Sequence, residues 1–187
     1  MPVPAAITDL SATPASNSPA GSETPSSTDD YLRTHAAFIR QVNDLVLLRE
    51  IKGPAFNAIA NAATSMANNT NTKINIGSVI YNHGSGYDPT TSRFTPSVGG
   101  IYHFTSGVEI ANSTGQRFIG ILKNGVGAIS GSNHSSGVFE SMASGDMFLN
   151  GTTDYAEVYA TQASGGALNT TASLATFFQA HYVRSVP

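Results

Sequence analysis

The sequence predicts a mainly β protein, a sandwich or jelly roll, preceded by one α-helix and an extended N-terminal arm. Three observations carry this. From Lys73 onward apolar and polar side chains alternate with period two, the pattern of half-buried strands. The alternating runs are short and separated by Gly and Asn turns, not by helical crossovers, which argues against a helix-flanked parallel sheet. Helical periodicity is confined to one stretch before Gly53-Pro54.

Residues 1–27 consist almost entirely of Pro, Ala, Ser, Thr, Gly and Asn. Such a segment has too little apolar surface to offset the entropy of ordering it, so the arm is expected to order only on a partner. Residues 28–54 form the helical region, with the helix itself predicted over about 29–51. Ser27 or Thr28 is the expected cap, Asp29 and Asp30 are expected in the first turn, and Gly53-Pro54 is the stop. Leu32, His35, Ile39, Val42 and Val46 recur at three- and four-residue steps and make one seam, with Tyr31, Phe38 and Leu45 beside it. The seam suits either a trimeric helix bundle or an amphipathic helix folded on its own domain, and His35 reads as a packed histidine.

Residues 55–187 form the predicted head. Six runs read as strands, some of them expected to be split: TKINIGSVIYN, GGIYHFTSGVEIAN, QRFIGILKNG, GVFESMASGDMFLNG, YAEVYATQ and ASLATFFQAHYVR. The expected turns are Asn82 to Gly86, Asn112 to Gly115, Asn124-Gly125, Gly145-Asp146 and Gly165-Gly166. In GIYHFTSGVEI, Tyr102, Phe104, Ser106, Val108 and Ile110 share one face, expected to line a core between two sheets. Ile101, His103, Thr105, Gly107 and Glu109 share the other.

Composition excludes several functions. Charged residues make up 11% of the chain, against about 25% in an average globular domain, and the net charge is −3. No basic run exists to meet a nucleic acid. Without cysteine there are no disulfides and no thiolate metal sites or nucleophiles. The opening MPVPAAITDL lacks the basic and apolar regions of a secretion signal, and no segment approaches the roughly 20 apolar residues of a membrane span. No membrane insertion is expected.

Catalytic motifs are equally scarce. The glycines of GSGYD and GVGAISG do not sit between a strand and a helix and read as loop glycines. None of the five histidines, His35, His83, His103, His134 and His181, lies two or four residues from another, so no metal or cofactor is assigned. The acids Asp88, Glu109, Asp146 and Asp154 are candidates only for a minor reading as a glycan-degrading enzyme. Sequons at Asn68, Asn112, Asn133, Asn150 and Asn169 are those expected in a region rich in Asn, Ser and Thr.

From Ala55 to Arg184 the chain resembles the globular head of complement component one, subcomponent q, a jelly-roll family related to tumour necrosis factor. The matching elements are AFNA, VIYN, GSGYDPTTSRFTPSVGGIYHFTSGVEI, LKNG, SGDMFLN, YAEVYATQASGGALN and ATFFQAHYV. The motif positions are Phe56, Tyr87, Asp88, Phe94, Gly100, Tyr102, Phe104, Asn124, Gly125, Gly145, Asp146 and Phe178. Gly100 is expected to permit a tight start to its strand, Tyr102 and Phe104 to fill the core, and Asn124-Gly125 and Gly145-Asp146 to turn the chain. The collagen-like stalk of many members is missing, and the terminal F-x-G-F is replaced by Phe177-Phe178-Gln179-Ala180-His181-Tyr182. The family's calcium ligands match no residue here. The resemblance implies a ten-strand-type jelly roll and a homotrimer.

Residues 7–44, ITDLSATPASNSPAGSETPSSTDDYLRTHAAFIRQVND, resemble the N-terminal segment of many tail-fibre and tail-associated proteins of tailed bacteriophages. Together the two resemblances imply a non-enzymatic virion protein on the tail or its fibres. The arm would bind another virion protein, and the head would bind a host-surface glycan or protein through loops such as NHGSGYD, SGSNHSSG and NGTTDY. Decoration of a capsid or tail without receptor binding is the alternative.

Overall fold

The computed structural model describes residues 25–46, 53–110, 114–136 and 140–186. The chain divides into two units, Met1–Ile51 and Lys52–Pro187. Helix α1 spans Pro25–Val46. It begins earlier than Ser27 and Thr28 predict, because a proline at the first helical position is preorganised for the helix and needs no N–H partner there. Ser27 and Thr28 therefore lie inside the helix, and Asp29 and Asp30 fall beyond its first turn. Tyr31 and Phe38, one heptad apart, are buried, whereas Leu32 (63%), Ile39 (71%) and Val42 are exposed, as is His35. The side chain of Val46 and the residues 1–24 lie outside the described part of the structure, so the arm does too.

The second unit is a β-sandwich. Its first sheet contains β1 (Ala55–Ile59), β4 (Ser78–His83), β7 (Gly100–Glu109), β10 (Glu140–Leu149) and β13 (Phe177–Arg184), in the order β10-β7-β13-β1-β4. The second contains β3 (Thr72–Lys73), β5 (Tyr87–Asp88), β6 (Arg93–Phe94), β8 (Thr114–Lys123), β9 (Val126–Ser136) and β11 (Ala156–Ala163). Its main path is β5-β6-β11-β8-β9, with β3 paired to β11. A two-residue pairing of β2 (Ser65–Met66) with β12 (Leu168–Asn169) completes the strands.

Alternation dictates which side chains meet between the sheets. Tyr102 and Phe104 of β7 are wholly buried, as is Phe178 of β13, and they face Ile119, Ile121 and Val158 of the second sheet within one core cluster. The aromatic part is continuous: Phe56 stacks on Tyr87 and Phe94, with ring centroids 4.4 and 4.7 Å apart, and meets Phe178 edge-on at 4.9 Å. Each such ring, fully buried, stabilises the fold by about 1.5–3 kcal/mol. These are six of the motif positions, Phe56, Tyr87, Phe94, Tyr102, Phe104 and Phe178, and all of them are core.

The structure splits one predicted run and corrects two sequence expectations in this unit. The run TKINIGSVIYN is split into β3 and β4, because between them Ile74 and Ile76 turn inward and side chains replace ladder partners. Ser92 Oγ accepts from Ile76 N at 2.9 Å, and Tyr87 Oη donates to Ile76 O at 2.6 Å. The stretch GVGAISGSNHSS, expected as loop, is largely strand β9. Its Gly131 lies so close to Ile119, Ala143 and the Met142 carbonyl that a Cβ would collide, so glycine there reflects close packing, not a bend.

The second correction concerns Gly145-Asp146, which is not a turn. Both residues lie inside the unbroken β10, paired with Phe104 and His103 of β7. The side-chain alternation runs in phase through them, and at Gly145 a Cβ would press on Ile129 of the opposite sheet at 3.2 Å. Asn124-Gly125, by contrast, turns β8 into β9 with φ of 53° and 79°, the positive values of a two-residue hairpin loop.

Candidate interaction face

Two of the motif positions, Asn124 and Asp88, are built into locks that hold loops. Asn124 donates through Nδ2 to Asp154 Oδ1 and accepts from Tyr155 N through Oδ1. Lys123 Nζ lies 2.7 Å from Asp154 Oδ2 and donates to the Phe148 carbonyl at 2.8 Å. Bonds from Lys123 and Asn124 hold the Asp154 carboxyl below its ordinary pKa. Asp88 accepts from the Thr90 and Thr91 hydroxyls, which, with the Thr90 N–H, lower its pKa to about 2. Gly100 opens β7 where a Cβ would meet Tyr182 at 2.5 Å and the Arg184 carbonyl at 2.6 Å.

Two loops are fixed by single asparagines. Asn82 spans the turn of NHGSGYD, donating to Tyr87 O and accepting from Tyr87 N. Asn150 Oδ1 accepts from the N–H groups of Thr152, Thr153 and Asp154, closing NGTTDY. The exposed side chains of these loops, among them His83, Ser85, Thr152 and Thr153, therefore stand on ordered backbone.

The acids considered for catalysis do not converge on one another. Glu109 accepts from the Thr171 and Ser173 hydroxyls, which hold its carboxyl below the usual range, Ser173 contributing most. Asp88 and Asp154 serve their own loops, and Asp146 pairs with a histidine. The fully buried Glu157 holds Lys73 at 2.7 Å and Arg93 at 2.9 Å. Burial works to raise its pKa, but the two cations outweigh that and lower it. Among the described residues no three His, Cys, Asp or Glu side chains group to hold a metal, and no helix is long and apolar enough to cross a membrane.

The outer face of the five-stranded sheet is organised in cross-strand bands. One band joins Met142, Gly107, Phe177 and Ile59. The next is polar: Ser144, Thr105, Gln179, Asn57 and Tyr81. Beside it Asp146, His103, His181, Ala55 and His83 form a row across all five strands. Beyond that, Phe148 pairs with Ile101. Met142 (47%), Phe148, Tyr81, Val183 and, on the β4 edge, Ile80 (58%) are exposed. Apolar side chains thus lie at both ends of one sheet with a polar and ionisable stripe among them, an arrangement typical of protein interfaces.

The histidine row escapes a reading by sequence spacing, since its members come from separate strands. Its signal is the strand register, which puts His103 opposite both Asp146 and His181. His103 Nδ1 is 2.6 Å from Asp146 Oδ1, and its Nε2 is 3.1 Å from Ser144 Oγ. The His103 and His181 ring centroids lie 5.5 Å apart.

A sandwich whose first and last strands pair beside β7, with a ladder-rich banded face and no convergent acids, belongs to the jelly-roll class of complement q and tumour-necrosis-factor-like domains. Residues 55–181 match the C1q domain family, and the chain belongs to that family. Murine APRIL is similar in structure, with a TM-score of 0.57 and 17% identity, covering 71% of this chain and 100% of that one. The globular domain of zebrafish complement 1qA protein has a TM-score of 0.51 and 16% identity, covering 72% and 99%. Eiger TNF from S. frugiperda gives 0.53 and 10%, covering 72% and 96%. A curated relative, protein HP-25 homolog 1 of Bos taurus, is 40% identical over 48 residues, 26% of this chain; the matched segment spans 22% of that protein's length. Domains of this class typically form homotrimers and are generally non-enzymatic, serving as ligand-binding or structural modules.

Proposed function

We propose that the chain works as a homotrimeric, non-catalytic binding head, mounted on the tail or tail fibres of a bacteriophage particle through its N-terminal arm. The observation that carries the trimer is the outer face of the β10-β7-β13-β1-β4 sheet, with Met142 and Phe148 at one end and Ile80 and Tyr81 at the other. Two different apolar patches on opposite ends of one sheet favour a head-to-tail contact, which closes into a ring, over a self-complementary dimer. The exposed seam of Leu32, Ile39 and Val42 on α1 supports the same assembly in the first unit.

The ordered loops at Asn82 and Asn150 support a role in recognition, because a preorganised surface loses little entropy on binding. Three copies on one trimer would multiply a weak affinity for a host-surface glycan or protein. Support for the virion comes from the resemblance of residues 7–44 to phage tail-fibre segments.

The test is in two parts. Light scattering on the purified full chain should give three times the monomer mass; a monomer would end the trimer reading. Immunogold labelling of tailed particles with antibody against the head should mark the tail or fibres. Label over the capsid would favour decoration without receptor binding, and unlabelled particles would remove the virion role.

A further inference from the structure

We propose that the assembly is acid-sensitive, with protonation of His181 beside His103 on the outer sheet face driving the three copies apart. The inference rests on the trimer reading above, and it adds a control that the family's fold does not imply.

The row Asp146, His103, His181, Ala55, His83 lies among the exposed apolar side chains that a second copy would cover. Association would therefore take the row out of water, where a net charge becomes costly. Histidine is the side chain whose charge ordinarily changes between about pH 5 and 8. With its imidazoles neutral the row carries the single negative charge of Asp146. With all three protonated, three positive charges and one negative leave it two positive.

The two central histidines are not equivalent. His103 has hydrogen-bond partners on both ring nitrogens. Neutral, it donates from Nδ1 to Asp146 and accepts at Nε2 from Ser144. Protonated, it keeps the first bond and donates from Nε2 to Ser144 Oγ, whose own proton turns to the Phe104 carbonyl at 3.2 Å. Asp146 offsets the new charge.

His181 has no such partner. The groups facing it are His103 on β7 and Ala55 on β1, with His83 beyond Ala55 on β4. Of the remaining groups, Glu140 and Glu109 pair with each other at the far end of β10 and β7, and Arg184 stands opposite Ile101. Among the described residues no carboxylate pairs with His181. Its charge would meet an imidazolium already held across the strand pair, with no carboxylate left to offset it.

The experiment is light scattering on the full chain at about pH 7.5 and about pH 5, with circular dichroism to follow the strands. Trimer at the higher pH and folded monomer at the lower is expected. His181→Gln should remain trimeric at both pH values. A parent that is trimeric at both pH values overturns the switch and leaves the trimer standing. A parent that is monomeric at the higher pH overturns the trimer reading itself. Equal dissociation of the parent and His181→Gln, or loss of the strand signal together with the trimer, removes His181 from the role.

Discussion

Phe56 and Tyr87 lie almost parallel, their planes 9° apart, and so tie the first strand of the head to the short β5 of the opposite sheet. Removing the Phe56 ring leaves Tyr87, Phe94 and Phe178 around a void. Phe56→Ala should lower the unfolding free energy by about 3–5 kcal/mol, read from urea denaturation. A loss below about 1 kcal/mol would mean that the cluster collapses around the gap.

Burial pushes the Tyr87 and Tyr102 phenols well above the ordinary tyrosine range. An acid whose pKa is raised by folding contributes stability below its unfolded value, and that stability is lost as pH rises beyond it. Ultraviolet titration should therefore find at least Tyr87 and Tyr102 still protonated where exposed tyrosines have ionised, at about pH 11, until the chain unfolds. Ionisation of all seven in one step, with the strands intact, would contradict this.

Glu157 has the opposite sign. Its folded pKa is lowered, so its contribution is present above the unfolded carboxylate range and disappears as pH falls through the folded value. Glu157→Gln should destabilise the head by roughly 1–3 kcal/mol near neutral pH, since Lys73 and Arg93 stay partly solvated, and should flatten the acid limb of the stability curve. An acid limb as steep as the parent's would assign that slope to other carboxylates.

Two glycines near the hairpin separate backbone need from composition. Gly125 has φ of 79°, which a β-branched residue resists, whereas Gly127 has open space around its Cα. Gly125→Val should cost about 1–2 kcal/mol or more, and Gly127→Val should be near neutral. Thermal melts of the pair decide it; equal losses would mean that the turn is not the constraint.

How much of this was legible in the sequence depends on whether local pattern or register carries it. Tyr102 and Phe104 were readable because alternation alone puts them inside. Asn124-Gly125 was readable because its chemistry is that of a turn. Gly145-Asp146 reads the same way and is not a turn, since ten residues of in-phase alternation override a local preference. Strand β9 was illegible for a related reason: Gly131 packs against the next strand, and close packing by glycine looks like loop composition. The hydrogen bond between His103 and Asp146 needs register between β7 and β10, which no spacing along the chain reveals. The seam of α1 was legible as a pattern, and the structure leaves Leu32, Ile39 and Val42 exposed, while Tyr31 and Phe38 beside them are covered.

That seam gives a further test. Ile39→Asp should weaken trimer formation at low micromolar concentration without changing the melting temperature of the head. A trimer of unchanged affinity would assign assembly to the sheet face alone.

The last strand of the head, β13, is hydrogen-bonded to β1 on one side and to β7 on the other, at the centre of the first sheet. That sheet therefore cannot become continuous until β13 is in place between β1 and β7. Until then β1 has only β4 beside it and β7 only β10, and the first sheet is two unjoined pairs. Joining the first strand of the head to its last is a pairing of high sequence separation, slow by contact order, and the open edges of β1 and β7 are exposed to aggregation until it forms.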